Sequence, residues 1–290
     1  MNNKPNFHLA RATLDDVLRL AQIADRAFAN DSHTQFKEVH RSAEDASFQT
    51  GMEEGLKQWM RVADRCTIIK AVDSRDGGNR IAGWITWGFR GVGIDPMPPP
   101  EETIGEPAIS DVKADLVPTT PDAAPPPVLG GKPKRKARLA ELERTTSGHL
   151  AAFQGRIMSV GGTTKCLYVI ATTVDPAYQG QGVGSLLLRW GTAQADRAGV
   201  FCWVHASEAG SRVFGRHGFE EVERLVVRLD EWVVGTEEEE EGEKGALAKI
   251  GEDRGRGGGE GEGVGEGKKE KVVWGEYTFR YMVRQPLATG

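Results

Sequence analysis

Apolar positions along the chain switch between the two periods that separate strands from helices. Phe7–Ala12 alternates weakly and predicts a first strand. Thr13-Leu14-Asp15-Asp16 has the form of a helix N-cap with acidic residues in the first turn. Val17, Leu18, Leu20, Ala21, Ile23, Ala24, Ala27 and Phe28 then recur at helical spacing, and a second helix is predicted over Ala43–Val62. Cys66–Val72 is rich in β-branched residues, and Ser74–Asn79 is a turn signal. Arg80–Phe89 alternates, with Trp84 and Trp87 on opposite faces, so the two runs predict a hairpin. One tryptophan is expected in the core, and the other is a candidate pocket wall.

Gly91–Pro133 breaks this pattern. Its proline clusters, Met97–Pro100 and Pro125–Pro127, supply no periodic apolar face, so 91–133 reads as a disordered insertion. Helical spacing returns from Lys134 with Leu139, Leu142, Leu150, Phe153 and Ile157, although Gly148 argues against one unbroken helix. Cys166–Val174 is the strongest strand signal. A helix is predicted from Ser185 to about Ala198, a buried strand over Val200–Ala206, and a short helix over Gly210–His217 stopped by Gly218. Glu223–Leu229 alternates as a strand. Thr236–Lys271 is dominated by Glu and Gly, and 236–271 reads as a second disordered insertion. Trp274–Val283 restores alternation, with Tyr277, Phe279 and Tyr281 on one face.

Composition adjusts this picture only slightly. The 290 residues are 39% hydrophobic, and the 37 Gly and 14 Pro concentrate in the two insertions, so the rest suffices for one domain over 1–290. A net charge of −5 argues against nucleic acid as a partner. Three cysteines without CxxC spacing imply neither a disulfide framework nor a zinc site, and no metal is expected. The polar start Met1–Phe7 is followed by no apolar run, and no stretch is long enough to span a bilayer. A cytoplasmic protein is therefore expected. Lys132–Arg138 is either a nuclear-import signal or a solvated helix start, and Glu237–Glu241 is a solubilising run.

The chemistry concentrates in Leu167–Ala198. A buried strand ends at Val174, Asp175-Pro176-Ala177-Tyr178 makes the exit turn, and Gln179-Gly180-Gln181-Gly182-Val183-Gly184 leads into a helix. Three glycines strip side chains from the loop, so backbone N–H groups at a helix N-terminus can converge on an anion. A pyrophosphate is the natural ligand. No lysine follows, so the GxxxxGK[ST] pattern fails, and GxGxG misses the dinucleotide pattern GxGxxG.

These residues resemble the GNAT superfamily of N-acetyltransferases, whose signature is Gln/Arg-x-x-Gly-x-Gly/Ala shortly after a strand ending in Val. Downstream, Ser207-x(6)-Phe214-Gly215-Arg216-His217-Gly218-Phe219 resembles the family pattern Asn-x(6)-Tyr-x-Lys-x-Gly-Phe. The wording of Leu188–Glu208 and Trp274–Arg284 is similar to fungal members of uncharacterised function. The resemblance implies an α/β (α+β) fold: a central mixed, mostly antiparallel sheet flanked by helices, with a splay between two central parallel strands. It implies acetyl-CoA as co-substrate, held by Thr172, Thr173, Val174, Gln179, Gly180, Gln181, Gly182, Val183, Gly184, Ser185, Ser207 and Phe214. It also implies an amine acceptor, a small molecule or a protein, for a monomer or homodimer.

Two positions depart from the family pattern. Ser207 replaces the usual Asn, and Phe214 replaces the Tyr that in many members protonates the leaving thiolate. The alternative reading is therefore a CoA-binding protein with little or no transferase activity. Amine attack calls for a nearby base. Glu208 and His205 are the candidates, Asp175 is better explained as a turn former, and a reaction without a single base stays open. Cys202 reads as a small buried hydrophobe rather than an acetyl carrier.

Overall fold

The computed structural model describes residues 7–41, 45–75, 78–93, 133–158, 164–233 and 273–287. Residues 94–132 of the first predicted insertion, and all of 236–271, lie outside them. The strands are β1 (Phe7–Arg11), β2 (Cys66–Asp73), β3 (Arg80–Arg90), β4 (Cys166–Val174), β5 (Phe201–Ala206), β6 (Glu220–Arg228) and β7 (Glu276–Arg284). The helices are α1 (Val17–Phe28), α2 (Ser32–His40), α3 (Phe48–Arg61), α4 (Pro133–Met158), α5 (Val183–Ala198) and α6 (Glu208–Gly215). The strands form one seven-stranded sheet in the order β1-β2-β3-β4-β5-β7-β6. Every neighbouring pair is antiparallel except β4 and β5, which run parallel. The fold class is thus the mixed, mostly antiparallel sheet with flanking helices that the sequence implied.

Helices cover both faces. Alternate residues of the central strands, among them Ile69, Ile85, Trp87, Leu167, Val169, Cys202 and Val204, share a core with Val183, Leu187 and Leu188 of α5 and Phe214 of α6. The opposite face packs Ile68 and Trp84 against α1 and α3. Beside them Tyr168, Trp203 and Tyr281 pack against Phe153 of α4, and Phe279 packs with Phe36 of α2. Strand β3 is interior and covered on both sides, so Trp84 and Trp87 are both fully buried. Neither is a pocket wall at the site. Trp84 Nε1 donates to the Leu20 carbonyl at 2.9 Å, which ties α1 to the sheet.

Several boundaries differ from the sequence pattern. Helix α2 has no counterpart in it, because only Phe36 and His40 of its nine residues are buried and no apolar stripe forms. Its usable signal was Asp31, whose carboxylate accepts from the Thr34 amide at 2.8 Å. The helix predicted from Ala43 begins at Phe48, capped by the Ser47 hydroxyl. Helix α4 runs unbroken through Gly148, which lies on an exposed face with no packing to disturb. The short helix begins at Glu208 rather than Gly210, because Ser207 Oγ accepts from the Gly210 amide at 3.2 Å. Strand β7, remote in sequence, inserts between β5 and β6. Its end is locked to α5 by Arg284, which pairs with both carboxylate oxygens of Asp196 at 2.7 and 2.8 Å.

Candidate functional site

The site is made by a defect in the sheet. Along the β3–β4 ladder Thr86 faces Ala171 and Trp87 faces Val169, which leaves Ile170 as an extra residue on β4. The bulge turns β4 away from β5. Parallel pairing runs from Cys166–Phe201 to Val169–Val204 and stops, although β4 continues to Val174 and β5 to Ala206. A gap therefore opens between the ends of the two central strands, which is the splay the sequence resemblance implied.

The turn at the end of β4 is anchored from three sides. The Asp175 amide donates to the Ala82 carbonyl of β3 at 2.9 Å. The buried Asp175 carboxylate accepts from Arg19 at 3.1 Å and Arg26 at 2.6 Å, both on α1, and from the Ala177 amide at 3.1 Å. Asp175 is thus a structural anchor, in keeping with a turn former. Two glutamines brace the loop from within: Gln179 Nε2 donates to the Val174 carbonyl at 3.2 Å, and Gln181 Nε2 to the Ala177 carbonyl at 2.9 Å.

What the loop leaves free is its backbone. Gly180 and Gly182 have φ of +74° and +87°, a conformation that costs other L-residues energy. Helix α5 begins at Val183, two residues before the predicted Ser185, and its first backbone bond runs from the Leu186 amide to the Gly182 carbonyl. The amides of Gly180, Gly182, Val183, Gly184 and Ser185 donate to no described group. They form a cluster of free donors at the positive end of a sixteen-residue helix. A Cβ built on Gly184 would lie 3.6 Å from Val174 and 3.9 Å from Val213, so the loop, the end of β4 and α6 meet here.

The remaining candidates surround the gap. Thr172 Oγ1 donates to the Trp84 carbonyl at 3.3 Å, while the Thr173 hydroxyl is buried without a partner. Ser207 caps α6 just past the end of β5. Phe214 is 3% exposed and packs edge-on against Phe219 at 5.3 Å, so no hydroxyl stands where the resembling family usually has one. Glu208 is half-exposed, and Arg280 of β7 donates to it at 2.6 and 2.9 Å. His205 is the first residue of β5 beyond the last β4 pair. Its ring lies between Tyr281 at 4.9 Å and Phe279 at 4.7 Å, and its Nε2 has no partner. Burial lowers its pKa to about 4, which leaves a neutral imidazole. Cys202 is fully buried, and burial pushes its thiol up to about 12, so it is an inert apolar residue.

Three residues near the gap escaped the sequence reading. Arg280 fixes Glu208. Tyr277 donates its hydroxyl to Asp31 at 2.9 Å, with its pKa raised by burial and by the Asp31 charge. His33 packs against Tyr277 and Phe279. Their partners lie on other elements, so no local pattern announces them.

Residues 133–233 match the family model described as the acetyltransferase (GNAT) domain. That span contains β4, the glycine loop, α5, β5 and α6. No curated protein matches the chain. Among solved structures, the chain resembles a histone acetyltransferase HPA2 and related acetyltransferase from Corynebacterium glutamicum. That match has 14% identity and a TM-score of 0.46, covering 98% of this chain and 99% of the other. An N-acetyltransferase from Staphylococcus aureus Mu50 aligns at 10% identity with a TM-score of 0.42, over 97% and 98% of the two chains. A GNAT family acetyltransferase from Brucella melitensis, in complex with acetyl-CoA, aligns at 16% identity with a TM-score of 0.36, over 74% and 83%.

Proposed function

We propose that the protein is an acyl-CoA-dependent N-acyltransferase that moves the acetyl group of acetyl-CoA to an amine. The observation that carries this reading is the set of unpaired amides of Gly180 and of Gly182 to Ser185, set beside a gap between two parallel strands. The amides suit a pyrophosphate. The gap suits an extended arm reaching into the sheet, and the match of 133–233 to an acetyltransferase domain agrees with both. Thr172, Thr173, Val174, Gln179 to Ser185, Ser207 and Phe214 would line the co-substrate's path.

In the reaction the amine nitrogen attacks the thioester carbonyl, the C–S bond breaks, and the amide forms as CoA leaves as the thiolate. One proton must be taken from the attacking nitrogen. Of the two candidates His205 is the freer: its Nε2 has no partner and it stands next to the gap, whereas Glu208 is held by Arg280. Proximity and backbone polarisation of the carbonyl supply the rest. Release of free thiol from acetyl-CoA, measured against a panel of amines, tests the reaction. His205→Gln is expected to lower kcat by roughly 10²-fold or more, with KM for acetyl-CoA unchanged. An unaltered kcat would move the base elsewhere.

One observation favours a second reading, a CoA-binding protein without transferase activity: position 214 is a buried phenylalanine with no hydroxyl to protonate the thiolate. Micromolar binding of acetyl-CoA with no thiol release on any amine would favour it.

A further inference from the structure

On the sheet face opposite α5, helices α2, α3 and α4 line an open cavity of about 660 Å³. We propose that this cavity receives the amine acceptor, and that the acceptor is a primary amine carried on an uncharged apolar body, aryl or alkyl. The proposal rests on the transferase reading above and names the substrate class of that site.

Position is the first argument. His33 of α2 lines the cavity and touches the sheet. Its ring lies 5.1 Å from Tyr277 and 5.0 Å from Phe279, and Phe279 in turn lies 4.7 Å from His205. Two ring contacts therefore connect the cavity to the end of β5 where the strands part. The co-substrate loop lies at the N-terminus of α5, on the other face, so the two reactants would approach the gap from opposite sides.

The lining is the second argument. Phe48, Met52 and Trp59 of α3 and Leu139 of α4 give it an apolar wall. The charges around it are matched within the protein: Lys37 with Glu143 at 2.5 Å, Arg41 with Glu38 at 3.2 Å, and Lys136 with Asp45 at 3.2 Å. A charged acceptor body would have to compete with these pairs, whereas an apolar one gains by leaving water. His33 is itself kept neutral, its pKa lowered by burial to about 4, so the inner wall does not repel an ammonium group.

Space is the third argument. Gly51 and Gly55, one turn apart on α3, both face the cavity. A Cβ on Gly51 would meet nothing within 4 Å, and one on Gly55 only the edge of Trp59 at 3.9 Å. Glycine in a helix interior costs stability relative to other residues. Here it leaves open volume that a larger residue would fill.

Gly51→Leu tests this, since its Cβ would meet nothing within 4 Å, it adds bulk to the cavity and it raises helix propensity. Thiol release with acetyl-CoA is measured on ethylamine, 2-phenylethylamine and a lysine-containing peptide. Binding of 2-phenylethylamine alone is measured by calorimetry. The expected result is at least a tenfold preference in kcat/KM for 2-phenylethylamine over the other two. Gly51→Leu should abolish that preference and the amine's binding, while leaving acetyl-CoA affinity unchanged. If ethylamine is acetylated but no preference exists, or Gly51→Leu leaves it intact, the cavity proposal is overturned and the transferase reading stands. If no amine releases thiol although acetyl-CoA binds, the transferase reading falls and the acceptor assignment falls with it.

Discussion

Replacing Gly191 by alanine adds one methyl group to the middle of α5, and two effects of opposite sign then compete. Helix propensity favours alanine by about 1 kcal/mol. Sterics oppose it, because the new Cβ would lie 2.0 Å from Trp87 Cε2, 2.3 Å from Cζ2 and 2.5 Å from Cδ2. Ordinary carbon contacts need roughly 3.5–4.0 Å. The helix and the indole must therefore part by about 1.5 Å. Trp87 is fully buried between two packed layers and cannot swing into solvent, so α5 has to lift. Overpacking of this kind costs about 1–3 kcal/mol. We expect a net loss of up to about 2 kcal/mol, read as a lower denaturant midpoint with an unchanged slope. Gly148→Ala on α4 is the control, with the same chemical change and nothing within 4 Å of the new methyl. It should gain up to about 1 kcal/mol. Because α5 carries the donor cluster at its N-terminus, Gly191→Ala should also weaken acetyl-CoA binding, while Gly148→Ala should not. If Gly191→Ala raised the midpoint as much as the control does, the packing of α5 on Trp87 would be wrong.

Three further outcomes can be checked on the same material. Gly182→Ala forces a residue with a Cβ to φ +87° at the start of α5 and should cost about 1–2 kcal/mol, with acetyl-CoA affinity falling at least tenfold; equal affinity would remove the loop from the binding site. Asp175→Ala frees Arg19 and Arg26 and should cost about 1–3 kcal/mol, less than a fully buried pair because both arginines reach solvent; a loss below about 0.5 kcal/mol would show that the turn holds without its anchor. Acid should destabilise the protein well before its carboxylates titrate. His33 and His205 stay neutral in the fold down to about pH 4, while the unfolded chain binds protons below about pH 6.5. Stability is then complete above pH 6.5 and falls as pH drops towards 4, by up to roughly 3 kcal/mol for each histidine. His205→Phe, which keeps a flat ring between Tyr281 and Phe279, should make that decline shallower; an unchanged profile would rule out a buried neutral imidazole there.

Local chemistry made part of this protein legible from sequence alone. The β4–loop–α5 unit could be read because its cause is local: a run of buried strand residues, then glycines where a Cβ cannot follow the chain, then a helix whose free amides need an anion. Gly218 marked the end of its turn for the same reason, since caps act within a turn, whereas the cap at Ser207 was missed. Helix α2 stayed hidden because it buries only two residues and takes its stability from contacts with β7 and α4 rather than from its own pattern. The alternation of β3 suggested two faces with different roles, but only the sheet order shows that both are buried. The gap itself depends on one unpaired residue, Ile170, whose register against β3 is set across some eighty positions of chain. Arg280 beside Glu208, the arginines around Asp175, and the ring contacts from His33 to His205 likewise exist only once distant elements pack. The sequence by itself therefore determined the strand, glycine loop and helix start with its free amides, because these belong to a continuous stretch of backbone. Only the tertiary structure decided that His205 Nε2 is left without a partner, that Glu208 is paired with Arg280 and that α2, α3 and α4 line a cavity, because each of these depends on partners that the chain brings together only by folding.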